Sequence, residues 1–247
     1  MAINSWSFSK LQDFETCKFL CWLKHDQKIP EPERPLPPGK TEHANDRGTR
    51  IHTSCEEYIN GTSNTLAPEA ALHFGPQIDL LRVLHADGLV SLEGEWGMNR
   101  DWEVADWKTA WLRLKLDAIV FHSETHATVI DFKTGRKFGN EIKHGEQLNL
   151  YQLVSFMRYP KLEHVNAELW YLDQKPGENL TSVSFMREKG LKYRSNFDRR
   201  GHKLTTCTKW EPNPNVHSCK WCQYGPWNGG QCQVGVQSLP GAKPKRK

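Results

Sequence analysis

Leu116-Asp117-Ala118-Ile119-Val120, Val129-Ile130-Asp131-Phe132-Lys133-Thr134-Gly135 and Gln147-Leu148-Asn149-Leu150-Tyr151 are the segments on which the reading of this chain turns. Leu114, Leu116, Ala118 and Val120 alternate with Lys115, Asp117, Ile119 and Phe121. That period of two predicts a strand with both faces partly apolar. Ala127 to Phe132, rich in β-branched residues, predicts a second strand. The polar linker His122-Ser123-Glu124-Thr125-His126 is short enough to close a hairpin. Asp117 and Asp131 are then expected side by side near one edge of a sheet. Lys133, two residues after Asp131, points to the same face. Gln147 and Tyr151 stand at i and i+4, so they share a face if their segment is helical, with Leu148, Leu150, Leu153, Val154 and Met157 available for packing.

Two neighbouring carboxylates repel unless a cation stands between them. Oxygen donors suit Mg2+ or Mn2+, and such an ion acidifies bound water and stabilises charge on a phosphate. A lysine beside the pair can orient the water. Taken alone, Asp-x-Lys equally fits a surface hairpin with merely solvated charges, and Gln147 with Tyr151 an ordinary helix flank.

In combination these motifs resemble the PD-(D/E)XK nuclease superfamily, and within it the RecB-like branch that includes the exonucleases of CRISPR adaptation. Asp131-Phe132-Lys133-Thr134-Gly135 is similar to that branch's D-(Y/F)-K-T-G, and Gln147-x-x-x-Tyr151 to its Q-x-x-x-Y. The branch's upstream histidine is matched by His52 in Arg47-Gly48-Thr49-Arg50-Ile51-His52. Its N-terminal S-x-S-x-L-x-x-F-x-x-C is matched from Ser7 through Phe14 to Cys17. The resemblance implies a restriction-endonuclease-like α/β fold, a mixed central sheet flanked by helices. It implies metal ligation by His52, Asp117 and Asp131 with the Phe132 carbonyl, and Gln147 and Tyr151 beside the active centre touching DNA. Without it, His52 reads as a hydrogen-bonded structural histidine. Glu95 is a further carboxylate, expected outside the ligand set.

The cysteines carry a second signal. Of seven, Cys219 and Cys222 have the Cys-x-x-Cys gap that lets two thiolates reach one centre, and Cys232 follows a glycine-containing loop. The resemblance to iron–sulfur members of the branch adds Cys17 as the early ligand and implies a [4Fe–4S] cluster on Cys17, Cys219, Cys222 and Cys232. Such a cluster makes an annex that joins the two ends of the chain. A local Zn2+ site from Cys207, Cys219, Cys222 and Cys232, or no metal at all, remains open. The odd count and the absence of a visible signal peptide speak against a disulfide framework.

At 247 residues, with 25% charged residues, a net charge of +4 and ten Trp, the chain is sized for one sizeable core with a smaller helical annex. Mean hydropathy is −0.70, and no apolar run reaches the roughly 20 residues of a membrane span. A capping box at Ser9 and Gln12 predicts a first helix running to about His25. Five prolines between Pro30 and Gly39 predict an extended connector. Helices are expected at Asp46–Asn60 and Ala67–His85, and a basic one at Glu188–Arg200, whose Lys192 and Arg194 are expected to share a groove with the carboxylates. A hairpin is expected around Pro176-Gly177. The organisation expected is 1–40 as helix and connector, 41–200 as nuclease core, 201–236 as cysteine-rich region and 237–247 as a basic disordered tail.

The function expected is a divalent-metal-dependent DNA nuclease, an exonuclease acting on ends or single strands in phage or bacterial recombination or repair. DNA is the expected partner, alongside a recombination or single-strand-binding protein, in the bacterial or phage-infected cytoplasm. The alternative is a non-catalytic nucleic-acid-binding or zinc-bearing interaction protein on the same fold.

Overall fold

The computed structural model describes residues 3–135, 137 and 139–237; the basic tail, from residue 238 on, lies outside the described residues. In chain order the elements are α1 (Phe8–Thr16), α2 (Lys18–Cys21), a π-helical turn (Trp22–Asp26), α3 (Ala44–Ile59) and α4 (Pro68–Ala86). Then come β1 (Val90–Met98), β2 (Val104–Ala105), β3 (Leu112–Phe121), β4 (His126–Lys133), α5 (Glu141–Arg158), β5 (His164–Tyr171) and β6 (Leu180–Met186). The chain ends in α6 (Arg187–Leu191), α7 (Arg194–Thr205), α8 (Val216–Cys219) and a 3-10 turn at Pro226–Asn228. The chain divides into two units, Leu36–Asp198 and Met1–Pro35 with Arg199–Lys247.

The larger unit is built on a six-stranded sheet in the order β2-β1-β3-β4-β5-β6. The β3–β4 hairpin is antiparallel, with Ala118 opposite Ile130 and Phe121 opposite Ala127. β4 and β5 run parallel, His126 opposite His164 through Lys133 opposite Tyr171. A parallel pair needs a crossover, and α5 supplies it. The fold is therefore the mixed α/β sheet flanked by helices that the motifs implied. The hairpin of the two aspartates is not at an edge, as its own sequence suggested. β1 flanks it on one side and β5 on the other, so Asp117 and Asp131 stand on the two central strands.

Alternation decides which side chains face which helices. Ala118, Val120, Ile130, Phe132 and Trp170 pack with Ile51, Cys55 and Ile59 of α3 and Ala70, Phe74, Ile78 and Leu81 of α4. Both helices bury positions spaced by three or four, the stripe of an amphipathic helix. The Phe74 ring stacks on Trp170 with centroids 5.0 Å apart; burying such a side chain contributes about 1.5–3 kcal/mol. The other strand positions, Asp117, Asp131 and Lys133 among them, face the opposite way.

At the N-terminus the structure departs from the expected long helix. The cap is Ser7, whose hydroxyl accepts from the Lys10 N–H at 3.3 Å. The helix breaks at Cys17, where the backbone is extended (φ −161°). Cys17 thereby leaves the helix that Leu11 and Phe14 anchor. In the smaller unit Leu23, Tyr224 and Cys232 form one buried cluster, with Phe19, Trp22 and Ile29 around them. The Tyr224 hydroxyl donates to the Ile29 carbonyl at 2.7 Å. The expected Glu188–Arg200 helix is two helices, α6 and α7.

Across β3, β4 and β5, at the end away from Asp131, His122, His126 and His164 make a column with ring centroids 4.8 and 4.4 Å apart. Burial, then the His164 and His122 rings, hold His126 below the usual imidazole value. A depressed histidine contributes stability that is complete above the unfolded value near 6.5 and is lost as pH falls through the folded value. The protein is therefore expected to lose thermal stability between pH 7.5 and 5.5. His126→Gln should lose less over the same interval in paired melting curves; equal losses would remove His126 as the cause.

Candidate functional site

Asp131 is the most deeply buried carboxylate of the site, 6% exposed. Its Oδ1 accepts from the Tyr151 hydroxyl at 2.8 Å and from Gln147 Nε2 at 3.3 Å. Gln147 Nε2 also donates to the Tyr151 oxygen at 2.5 Å. The helical spacing of Gln147 and Tyr151 on α5 is what lets two side chains serve one oxygen. Asp131 Oδ2 pairs with the Lys133 ammonium on the same strand face and has no other partner among the described residues.

A second set meets at Asp117. His52, from α3, donates from Nδ1 to Asp117 Oδ1 at 2.9 Å. The Phe132 N–H donates to Asp117 Oδ2 at 2.5 Å. Phe132 follows Asp131 in the chain, so this bond ties the two carboxylates into one network. The Phe132 side chain lies on the other face, in the core, with its ring 5.9 Å from that of His52. The network thus connects His52, Asp117, Asp131, Phe132, Lys133, Gln147 and Tyr151.

The electrostatics follow from burial and crowding. Burial pushes the Asp131 carboxyl up; Lys133 opposes this and the Asp117 charge adds to it. Burial, then Asp131 and Asp117, raise the Tyr151 hydroxyl well above its usual value, so it stays a neutral donor. Burial works against charging His52, but its bond to Asp117 and the two aspartate charges outweigh this and raise it. With Nδ1–H on Asp117, the neutral ring presents Nε2 as its lone-pair nitrogen.

A divalent cation fits this donor set. Two crowded carboxylates are hard oxygen donors, an imidazole adds a borderline nitrogen donor, and one buried oxygen of Asp131 faces, among the described residues, only the Lys133 ammonium. Among the described residues, no three His, Cys, Asp or Glu side chains already close a cage.

Other residues fall outside the network. Glu95 is half exposed and pairs with Lys115 at 3.3 Å. Lys192 pairs with Glu188 at 3.2 Å, and Arg194 donates to the Asp101 carbonyl at 3.0 Å. His144 escaped the sequence reading. One turn before Gln147 on α5, its Nδ1 lies 2.8 Å from the hydroxyl of Tyr171, the register partner of Lys133. Burial, then Lys133 and Lys143, pull it down to about 4. Its place three residues before Gln147 was the available signal.

In the smaller unit, Cys17, Cys219, Cys222 and Cys232 line one cavity with Leu20, Leu23 and Trp227. Cys207 is absent from that lining; its thiol donates to the Lys209 carbonyl at 3.2 Å. Cys207 lines a second cavity together with Cys17. All seven cysteines are free thiols. Burial raises Cys222, the Tyr224 N–H opposes this, and Cys232, Cys17 and Cys219 add to it. Burial pushes Cys21 and Cys55 up to about 12, which leaves them inert.

Tyr151→Phe removes a buried hydroxyl from an ionisable acceptor. It is expected to lower the unfolding free energy by about 1–3 kcal/mol, read by urea denaturation. An unchanged midpoint and slope would show that the hydroxyl contributes nothing to Asp131.

Among described residues no helix is long and apolar enough to cross a membrane. No curated protein sequence matches the chain. Among solved structures it is similar to SSO0001, at 15% identity over 96% of this chain and 89% of that one, with a TM-score of 0.42. A protein of Eubacterium rectale that carries an exonuclease assignment is similar at 11% identity over 89% and 87%, with a TM-score of 0.47. The alkaline exonuclease LHK-Exo of Laribacter hongkongensis is similar at 9% identity over 82% and 89%, with a TM-score of 0.33. The sequence profile of the PD-(D/E)XK nuclease superfamily matches residues 5–227, a span that takes in every residue of the carboxylate network. The chain belongs to the PD-(D/E)XK nuclease superfamily.

Proposed function

We propose that the protein is a divalent-metal-dependent deoxyribonuclease, with His52, Asp117, Asp131 and the Phe132 carbonyl as the ligands of Mg2+ or Mn2+. The observation that carries the reading is the buried Asp131 carboxylate, bound on one oxygen by Tyr151 and Gln147 and faced on the other by Lys133 alone. An ion bound there would acidify a water and neutralise charge on the phosphodiester. Lys133 orients that water towards phosphorus and offsets the negative charge that builds there. Water adds to phosphorus, the bond to one ester oxygen breaks, and the strand ends in a phosphate and a hydroxyl. Tyr151 and Gln147 hold Asp131 in a single orientation throughout.

Exonucleolytic action on ends or single strands, in the manner of the RecB-like branch, and a role in phage or bacterial recombination or repair complete the proposal. Digestion of end-labelled linear and closed circular DNA with Mg2+ or Mn2+ tests it. Linear DNA should be consumed from its ends and circles spared; nicked circles would replace the exonuclease by an endonuclease. Asp131→Asn and Lys133→Ala should each lower cleavage by at least about 100-fold with the fold retained by circular dichroism, although Lys133→Ala, which leaves Asp131 without its counter-charge, should melt lower. Normal cleavage by both variants, free of contaminating nuclease, would remove the site assignment.

The cysteine set is proposed to hold a [4Fe–4S] cluster. Its support is the single cavity that Cys17, Cys219, Cys222 and Cys232 line together. Anaerobically purified protein should be brown and contain iron and sulfide, and Cys222→Ala should bleach it and lower its melting temperature, because thiolate–metal binding is folding energy. Stoichiometric zinc in colourless protein would give the site to zinc instead.

A further inference from the structure

The bond between His52 and Asp117 joins two of the proposed ligands to each other. An ion that draws on the same carboxylate weakens that bond, so helix α3 needs a hold that does not involve the ligands. The structure provides one at the end of β4. Arg47, on α3, forks onto Asp173, with Nη1 on Oδ2 at 2.9 Å and Nη2 on Oδ1 at 2.6 Å. Asp173 Oδ2 also accepts from the Gly135 N–H at 2.6 Å. Gln174 Nε2 donates to the Gly135 carbonyl at 3.0 Å, and the Leu172 N–H to the Lys133 carbonyl at 2.9 Å. Gly135 has φ +104°, a backbone state that other residues adopt only with strain.

The approach is tight on the helix side as well. A Cβ on Gly48 would lie 3.1 Å from Thr134 Oγ1. Gly48 and His52 stand at i and i+4 on α3, so the same helix face that touches the Thr134–Gly135 turn delivers His52 one turn later. Arg47 is the neighbour of Gly48 and pins that contact. Arg47 also lies 3.6 Å from Glu69 of α4. The bond to Arg47 and the Gly135 N–H hold the Asp173 carboxyl below the usual carboxylate range, against burial, so the pair keeps both charges.

We propose that the Arg47–Asp173 pair is the positioning clamp of the cleavage site: it fixes α3, and with it His52, against the Thr134–Gly135 turn that ends the strand of Asp131 and Lys133. The proposal rests on the nuclease reading of that site. Neither residue touches substrate or ion; both act through His52. A planar fork bound at both oxygens sets distance and rotation together, which an ammonium does not.

The test combines Mn2+ titration of the whole protein by calorimetry, without DNA, with steady-state cleavage of a labelled substrate. Arg47→Ala should weaken Mn2+ binding and lower kcat, each by about 10- to 100-fold, the range of residues that orient metal ligands, with KM changed less than about two-fold. Arg47→Lys should recover part of both. In a His52→Ala background, Arg47→Ala should add nothing to the loss of Mn2+ affinity, because the helix then has no ligand to deliver. Wild-type Mn2+ affinity and kcat in Arg47→Ala, or the full loss repeated in the His52→Ala background, overturns the clamp. If Arg47→Ala does not fold, Arg47→Lys and Asp173→Asn carry the comparison, since each nearly keeps the volume, and wild-type values in both overturn it. Wild-type protein that neither cleaves DNA nor binds Mn2+ overturns the nuclease reading and the clamp with it. Wild-type protein that does both, beside unaffected variants, overturns the clamp alone.

Discussion

A carboxylate that is 6% exposed, with a second carboxylate beside it, is the constraint around which the larger unit is arranged. Removing such a charge from water costs several kcal/mol unless hydrogen bonds and opposite charge replace the lost hydration. At Asp131 the replacements come from one helix and one strand. Tyr151 and Gln147 reach it from α5, and Lys133 from two residues along β4. Each replacement fixes something larger. The Tyr151 bond sets the height of α5 over the sheet, and its hydroxyl also lies 3.3 Å from the Lys115 carbonyl on β3. The Phe132 N–H, turned to Asp117, locks the relative position of the two central strands at the site.

Both faces of the sheet are packed. On one side, Phe74 stacks on Trp170, and Ile51, Cys55 and Ile59 seal α3 against Ala118 and Phe132. On the other side Ile119, Val129, Ala167 and Leu169 are buried, and Asp117, Asp131 and Lys133 are set into that same apolar face. His52 belongs to the helix on the first side yet bonds the Asp117 carboxylate. A close-packed core transmits position without slack, so the placement of His52 inherits the rigidity of the packing that Ile51 and Cys55 make next to it. In the smaller unit Trp6, Leu11, Cys21 and Leu204 are buried in addition to the cluster of Leu23, Tyr224 and Cys232. A hydroxyl bond from Tyr224 and the two-fold contact of Arg200 with Glu15, at 2.7 and 2.6 Å, add polar links.

Local periodicity made much of this legible. Alternation from Leu114 to Phe121 and the β-branched run after Ala127 are properties of adjacent residues, and so is the i, i+4 spacing of Gln147 and Tyr151. The hairpin and the face shared by Asp131 and Lys133 followed from them. The N-cap was misplaced by two residues because Ser7 and Ser9 both precede the apolar stripe. Only the backbone at Ser7, extended before Phe8, makes its hydroxyl the acceptor. The break at Cys17 had no local signal, since neither glycine nor proline marks it.

The sequence by itself determined the strands and helix that carry the carboxylate network, the superfamily and the identities of the residues in that network, because motif spacing and side-chain period are encoded within short windows. The tertiary structure alone decided three things. It placed the aspartate hairpin at the centre of the sheet, because the parallel return of β5 beside β4 depends on how α5 crosses over. It brought His144 to the hydroxyl of Tyr171. It joined Arg47 to Asp173 and Gly135, residues far apart in the chain, through charge-assisted bonds that exist only once α3 and the end of β5 have met. Contacts of that kind have no period and no fixed spacing, so no window of sequence contains them.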